Sequence, residues 1–253
     1  TVTYSSGSFT RLDKPERLMD TRPTGSKVGE IDGSGSAYTL QVTGQKGVPS
    51  SGVAAVALNV TVVDGETNDS GGFVTVYPCG TRPDASNLNF TYGQTIPNSV
   101  IAPVSSSGQV CFYVYGKAHL LADVSGYFSS GFSPLDKPER LMDTRPTGSK
   151  VGEIDGSGSA YTLQVTGQKG VPSSGVAAVA LNVTVVDGET NDSGGFVTVY
   201  PCGTRPDASN LNFTYGQTIP NSVIAPVSSS GQVCFYVYGK AHLLADVSGY
   251  FSG

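Results

Sequence analysis

The sequence predicts an all-β protein made of two tandem antiparallel β-sandwich domains, jelly-roll-like in form, and three observations carry that expectation. The run Leu12-Asp13-Lys14-Pro15-Glu16-Arg17-Leu18-Met19-Asp20-Thr21-Arg22 recurs at 135–145, and residues 12–129 are identical to residues 135–252, an offset of 123. Within each copy apolar and polar residues alternate with a period of two, and no window carries an apolar stripe at 3.6. Clusters of Gly, Pro, Asn, Asp and Ser, drawn from 33 Gly and 15 Pro in the chain, cut these stretches at short intervals. A unit of about 120 residues can build its own core. The domains are therefore expected at 9–131 and 132–253, with residues 1–8 a leader strand or linker.

Taken along the first copy, strand candidates begin at 17–22. Over 38–43, Tyr38, Leu40 and Val42 alternate with Thr39, Gln41 and Thr43, and over 56–62, Val56, Leu58, Val60 and Val62 alternate with Ala57, Asn59 and Thr61. Both patterns fit half-buried strands. Further candidates are 73–77, 87–92, 99–104, 109–115 and 119–124. Pro103 has no N–H to give a ladder, so its strand is expected at a sheet edge. Eight short strands at even spacing favour a sandwich over a parallel sheet.

Composition excludes several function classes. Charged residues are 14% of the chain and the net charge is −5, with no run of Lys or Arg, so nucleic acid and anionic membrane surfaces are not expected partners. No stretch of 18 apolar residues is present to span a bilayer. No basic start followed by an apolar run opens the sequence, so any secretory signal is expected to lie outside it.

Each copy has two cysteines, Cys79 and Cys111 in the first, Cys202 and Cys234 in the second. The parity points to one disulfide per domain, with a pair of buried thiols as the alternative. A bridge across 32 residues contributes roughly 3 to 4 kcal/mol in the chain-entropy picture, and implies an oxidising, extracellular setting.

The string Arg17-Leu18-Met19-Asp20-Thr21-Arg22, followed by Gln41-Val42-Thr43-Gly44, Ala57-Leu58-Asn59-Val60-Thr61-Val62, Val74-Thr75-Val76-Tyr77-Pro78, Ser86-Asn87-Leu88-Asn89-Phe90 and His119-Leu120-Leu121-Ala122-Asp123-Val124-Ser125-Gly126-Tyr127-Phe128, resembles a β-rich repeat of secreted and cell-surface bacterial proteins. That repeat often occurs in tandem, sometimes beside wall-hydrolase domains. The resemblance covers nearly all of both copies and implies an extracellular accessory or scaffold module, and it carries over no catalytic residues.

Three constellations are candidates for chemistry. His119, the one imidazole of its copy, shares a strand face with Asp123. A catalytic dyad is conceivable there, but the stronger expectation is a structural polar network of Asp20, Arg22, His119 and Asp123, with Asp143, Arg145, His242 and Asp246 as its second copy. Asp64, Glu66, Asn68 and Asp69, with Asp187, Glu189, Asn191 and Asp192, offer the hard oxygens that calcium takes, yet the other ligands of an EF-hand are missing and Asp64-Gly65 reads first as a solvated hairpin turn. No other cofactor is indicated. A glycan site needs an aromatic plane beside amides. Tryptophan is absent, but Tyr113 and Tyr115 share one strand face, and Asn87 and Asn89 share a face of a neighbouring candidate, with Tyr236, Tyr238, Asn210 and Asn212 in the second copy. Packing of these tyrosines between sheets is the plainer alternative.

The leading expectation is an extracellular structural or scaffold protein: a cell-surface stalk or fibre unit that partners copies of itself or other surface proteins, self-assembling if the leader strand completes a neighbour's sheet. The alternative is a tandem carbohydrate-binding, lectin-like module that attaches to cell-wall or environmental polysaccharide. An enzyme is the least favoured class.

Overall fold

A computed structural model describes residues 9–25, 28–68, 71–129, 131–148, 151–191 and 194–252. The leader at 1–8, on which assembly by strand exchange would depend, lies outside them. None of the described residues is helical, and no helix is long and apolar enough to cross a membrane.

The first repeat has nine strands: β1 (Phe9–Asp20), β2 (Ile31–Asp32), β3 (Tyr38–Gln41), β4 (Ala55–Glu66), β5 (Gly72–Pro78), β6 (Leu88–Phe90), β7 (Ile96–Pro103), β8 (Gln109–Tyr115) and β9 (Lys117–Phe128). One sheet runs β1-β9-β4-β7, with β2 also on β9, and the other runs β3-β8-β5-β6. Every recorded pairing is antiparallel. Without the two-residue β2, this is the eight-strand, two-sheet path of a jelly roll. Pro103 ends β7, an edge strand.

The inward residues of the two sheets make the core. Val74, Val76, Leu88, Val110, Phe112 and Val114 face Val56, Leu58, Val60, Val62, Leu120, Ala122 and Val124 in one buried cluster, the product of period-two alternation on both sheets.

The second repeat repeats this order with β10 (Phe132–Asp143), β11 (Ile154–Asp155), β12 (Tyr161–Gln164), β13 (Val176–Glu189), β14 (Gly195–Pro201), β15 (Leu211–Phe213), β16 (Ile219–Pro226), β17 (Gln232–Tyr238) and β18 (Lys240–Ser252). Its sheets are β10-β18-β13-β16, with β11 on β18, and β12-β17-β14-β15. The chain divides into compact units Thr1–Lys137 and Pro138–Gly253. That division falls inside β10, later than the boundary expected after residue 131.

Two local expectations are corrected. β1 starts at Phe9 rather than near residue 17, although its first half lacks alternation. It is an edge strand needing partners on one side only, and its register with β9 breaks between Arg11 and Glu16, across Pro15, where a donor is missing. Asp64-Gly65 is not a hairpin turn. The chain continues through both as β4, and the β4/β9 register shifts between Val63 and Glu66. Asp64 absorbs the extra length with φ of 51°, a left-handed conformation that a short polar side chain tolerates. Asp187 does the same in β13.

Candidate functional site: the outer face of the smaller sheet

β5 and β8 turn Phe73, Thr75 and Tyr77, and Cys111, Tyr113 and Tyr115, away from the core. Strand pairing sets Phe73 opposite Tyr115, Thr75 opposite Tyr113 and Tyr77 opposite Cys111. On its other side Phe73 faces Asn89 of β6, so Asn89, Phe73 and Tyr115 form a row across three strands. The rings of Phe73 and Tyr115 stack with centroids 5.2 Å apart and planes 13° apart. Tyr113 tilts against Phe73 at 6.1 Å, and the Arg82 guanidinium lies 3.7 Å over the Tyr113 ring. The second repeat reproduces the arrangement: Phe196 on Tyr238 at 5.3 Å and 14°, Phe196 to Tyr236 at 6.1 Å, and Arg205 over Tyr236 at 3.7 Å. Tyr115 is 44% and Tyr238 43% exposed, while Phe73 and Phe196 are half-buried beside them.

Amide groups rim the aromatic row. In the second repeat a surface recess of about 440 Å³ is lined by Phe196, Asn212, Thr214, Gln217 and Tyr238 among others. The Thr214 N–H donates to Gln217 Oε1 at 3.0 Å, as Thr91 N–H does to Gln94 Oε1 at 3.0 Å. This orients each glutamine while its Nε2 has no partner among the described residues. Ser86 Oγ donates to Asn89 Oδ1 at 3.0 Å and orients that amide. On the core side of the same strands, Gly72 and Gly195 leave room for the buried rings of Phe90 and Phe213, which a side chain at either would strike.

A loop at 79–87 covers the other half of the face and is fastened at several points. Cys79 is bonded to Cys111, and Cys202 to Cys234. Thr75 Oγ1 donates to the Ala85 carbonyl at 2.6 Å, and the Val76 N–H donates to Asn87 Oδ1 at 2.7 Å. Tyr77 is buried, and that burial raises its hydroxyl pKa, with the nearby Arg82 charge opposing.

The expected site residues thus separate. Tyr115, Asn89, Tyr238 and Asn212 come together on one face, and Tyr113 and Tyr236 share it under their arginines. Asn87 does not join them. It is 6% exposed and bonded inward, its carbonyl accepting from Asn98 Nδ2. Asn210 is held the same way, its Oδ1 accepting from the Val199 N–H at 2.7 Å and its carbonyl from Asn221 Nδ2. Both are loop anchors. Phe73, Gln94 and Arg82, with Phe196, Gln217 and Arg205, were not expected. Strand parity places Phe73 with Thr75 and Tyr77, but only the strand order puts it between Asn89 and Tyr115.

The polar network lies on the larger sheet. Arg17 pairs with Asp123 and with Asp20, the latter at 3.2 Å, and Arg22 grips Asp20 at 2.8 Å. Arg22 holds the Asp20 carboxyl down at about 2, first through its side-chain hydrogen bonds. Asp143 is lowered likewise by Arg145, and Arg140 pairs with Asp246. His119 is bonded to neither carboxylate. Its Nδ1 is 3.4 Å from Thr21 Oγ1, and His242 Nδ1 is 3.3 Å from Thr144 Oγ1. The expected contact of His119 with Asp20, Arg22 or Asp123 is replaced by this threonine, because bulged β1 brings Thr21 to the start of β9.

The calcium candidates are dispersed. Glu66 and Glu189 lie 3.4 Å from Lys117 and Lys240, Asp64 and Asp187 sit at their bulges, and Asn68 and Asn191 accept turn hydrogen bonds through their carbonyls from Gly71 and Gly194. Asp69 and Asp192 lie outside the described residues. Among the described residues no three His, Cys, Asp or Glu side chains converge.

No family model and no curated protein matches the chain. Among solved structures it is similar to the N-terminal CBM22-1-CBM22-2 tandem domain from Paenibacillus barcinonensis Xyn10C, at 10% identity over 94% of this chain and 100% of that one, with a TM-score of 0.26. A likeness of that size carries no weight for the ligand, and the chemistry of the face rests on its own geometry.

Proposed function

We propose that the chain is a non-catalytic, extracellular protein that binds polysaccharide through two identical sites, one on the outer face of the smaller sheet in each repeat. The observation that carries this is the outward-facing Phe73–Tyr115 stack, with Tyr115 exposed and Asn89 beside it, and its duplicate of Phe196, Tyr238 and Asn212. A pyranose ring offers an apolar C–H face and a rim of hydroxyls. An aromatic plane takes the first, and oriented amides such as Asn89 and Gln217 take the second. The disulfides and the resemblance to secreted bacterial repeats support an extracellular setting. Two copies on one chain strengthen attachment to a repeating polymer through effective concentration.

Affinity electrophoresis through gels containing soluble cell-wall and plant polysaccharides tests the proposal. Retardation by at least one polymer, abolished in Tyr115→Ala/Tyr238→Ala while the variant still unfolds cooperatively, is the expected result. Equal mobility in every gel overturns it.

A further inference from the structure

The aromatic row ends in a cation. Arg82 and Arg205 are exposed, each stacked 3.7 Å from the centre of a tyrosine ring. Among the described residues neither makes an ion pair, although Asp84 and Asp207 stand exposed two positions on. Several other cations of the repeat are engaged: Lys117 pairs with Glu30 and Glu66, Arg17 with Asp20 and Asp123, and Arg22 with Asp20. Exposed Lys46 also makes no ion pair among the described residues, but Arg82 differs in lying on an aromatic ring beside the proposed sugar platform.

Its placement is built in. Arg82 follows Cys79 by three residues, and Cys79 is bonded to Cys111, which stands two residues before Tyr113 on the same strand. The disulfide, the Thr75 to Ala85 bond and the Asn87 anchor hold the loop down around the arginine. A guanidinium resting on an aromatic plane keeps its donor edge free and pre-organised, so little side-chain entropy is lost when it binds an anion.

From this we infer that the polysaccharide is anionic: a charged group on a sugar bound at or beside the Phe73–Tyr115 platform is taken by Arg82, and by Arg205 in the second repeat. The inference rests on the glycan-binding reading of the same face. The fitting chemistry is a planar pair of oxygens that accepts two parallel N–H bonds, which a uronic acid carboxylate or a phosphodiester of a wall polymer provides. The net charge of −5 does not oppose this at physiological salt, where the screening length is about 8 Å.

The test measures binding to matched polymers: polygalacturonate against its methyl ester, hyaluronan against its carboxyl-reduced form, and a poly(glycerol phosphate) teichoic acid. These are run with the full chain, Arg82→Gln/Arg205→Gln and Arg82→Lys/Arg205→Lys. A charged polymer is expected to bind better than its neutral partner. Its affinity should fall about ten- to a hundredfold in the glutamine variant, fall less in the lysine variant, which keeps charge without the fork, and weaken as salt rises. Retention of the carboxylate polymers or of the teichoic acid tells which anion is taken. If neutral and charged partners bind alike and the glutamine variant matches the native chain, the inference falls while the glycan-binding reading stands. If no polymer of either kind is retained, both fall. Unchanged melting temperatures, expected for exposed arginines, confirm that the variants report on binding.

Discussion

Phe73 and Tyr115 stack in near-parallel planes because they are register partners on adjacent strands, and Phe196 and Tyr238 do the same one repeat later. The pair lies over a sheet whose other face is filled by Val74, Val76, Phe112 and Val114, so the rings are held by backbone hydrogen bonds and need no further cover. An outward-facing aromatic pair with one exposed ring on a rigid sheet is the kind of surface that binding requires and folding does not.

Two equal sites per chain predict a stoichiometry. Titration calorimetry with a short oligosaccharide of the bound polymer should give two molecules per native chain and one in Tyr238→Ala. On the polymer itself the single variant should lose more than half of the apparent affinity, by about 10²-fold when both sites engage one chain. A native stoichiometry of one would contradict the duplicated site.

Asn87 and Asn210 anchor loops and do not line the platform. Replacing both with alanine leaves the Val76 and Val199 N–H groups without their acceptor and should lower stability by about 1 to 3 kcal/mol per repeat. Chemical denaturation reads the loss. No change in the unfolding midpoint would show that these hydrogen bonds are not structural.

The disulfides allow each repeat to serve as the other's control. Removing one bridge with Cys79→Ala/Cys111→Ala should destabilise the first repeat by about 3 to 4 kcal/mol. Calorimetry should then show an earlier transition separated from that of the intact second repeat. A single unshifted transition would mean that the bridge contributes nothing to stability.

The Asp20 carboxylate, held near 2 by Arg22, gives a pH dependence of definite sign. An unfolded aspartate titrates near 3.9. The lowered folded value therefore stabilises the native state above about pH 4, and this contribution disappears as pH falls from about 4 to 2. Asp143 beside Arg145 is lowered in the same direction. Asp20→Asn/Asp143→Asn should lower Tm at pH 7 and give a shallower decline of Tm between pH 4 and 2 than the native chain. Parallel declines would contradict the role given to this pair.

Much of the fold is legible in the sequence because burial on a strand has a period of two. Val56, Leu58, Val60 and Val62 announce β4, and 109–115 coincides with β8. The first half of β1 is not legible, because an edge strand interrupted by a proline carries no alternation. The site is legible only in part. Tyr115 and Asn89 show their outward face by parity, but Phe73 joins them through the strand order β8-β5-β6, a long-range property. Asn87 has the same parity as Asn89 and opposite surroundings, since it precedes β6 and turns inward to the Val76 N–H. Arg82 comes from a loop, where no periodicity points to a partner.

The most direct measurement is the affinity of the native chain and of Tyr115→Ala/Tyr238→Ala for a polysaccharide that retards the native chain. The account predicts binding by the native protein and a loss of at least about thirtyfold in the variant, from about 1 to 3 kcal/mol of ring contact at each site, with cooperative unfolding retained because both tyrosines lie outside the cores. Undiminished binding by the folded double variant would place the interaction elsewhere on the molecule and contradict the account.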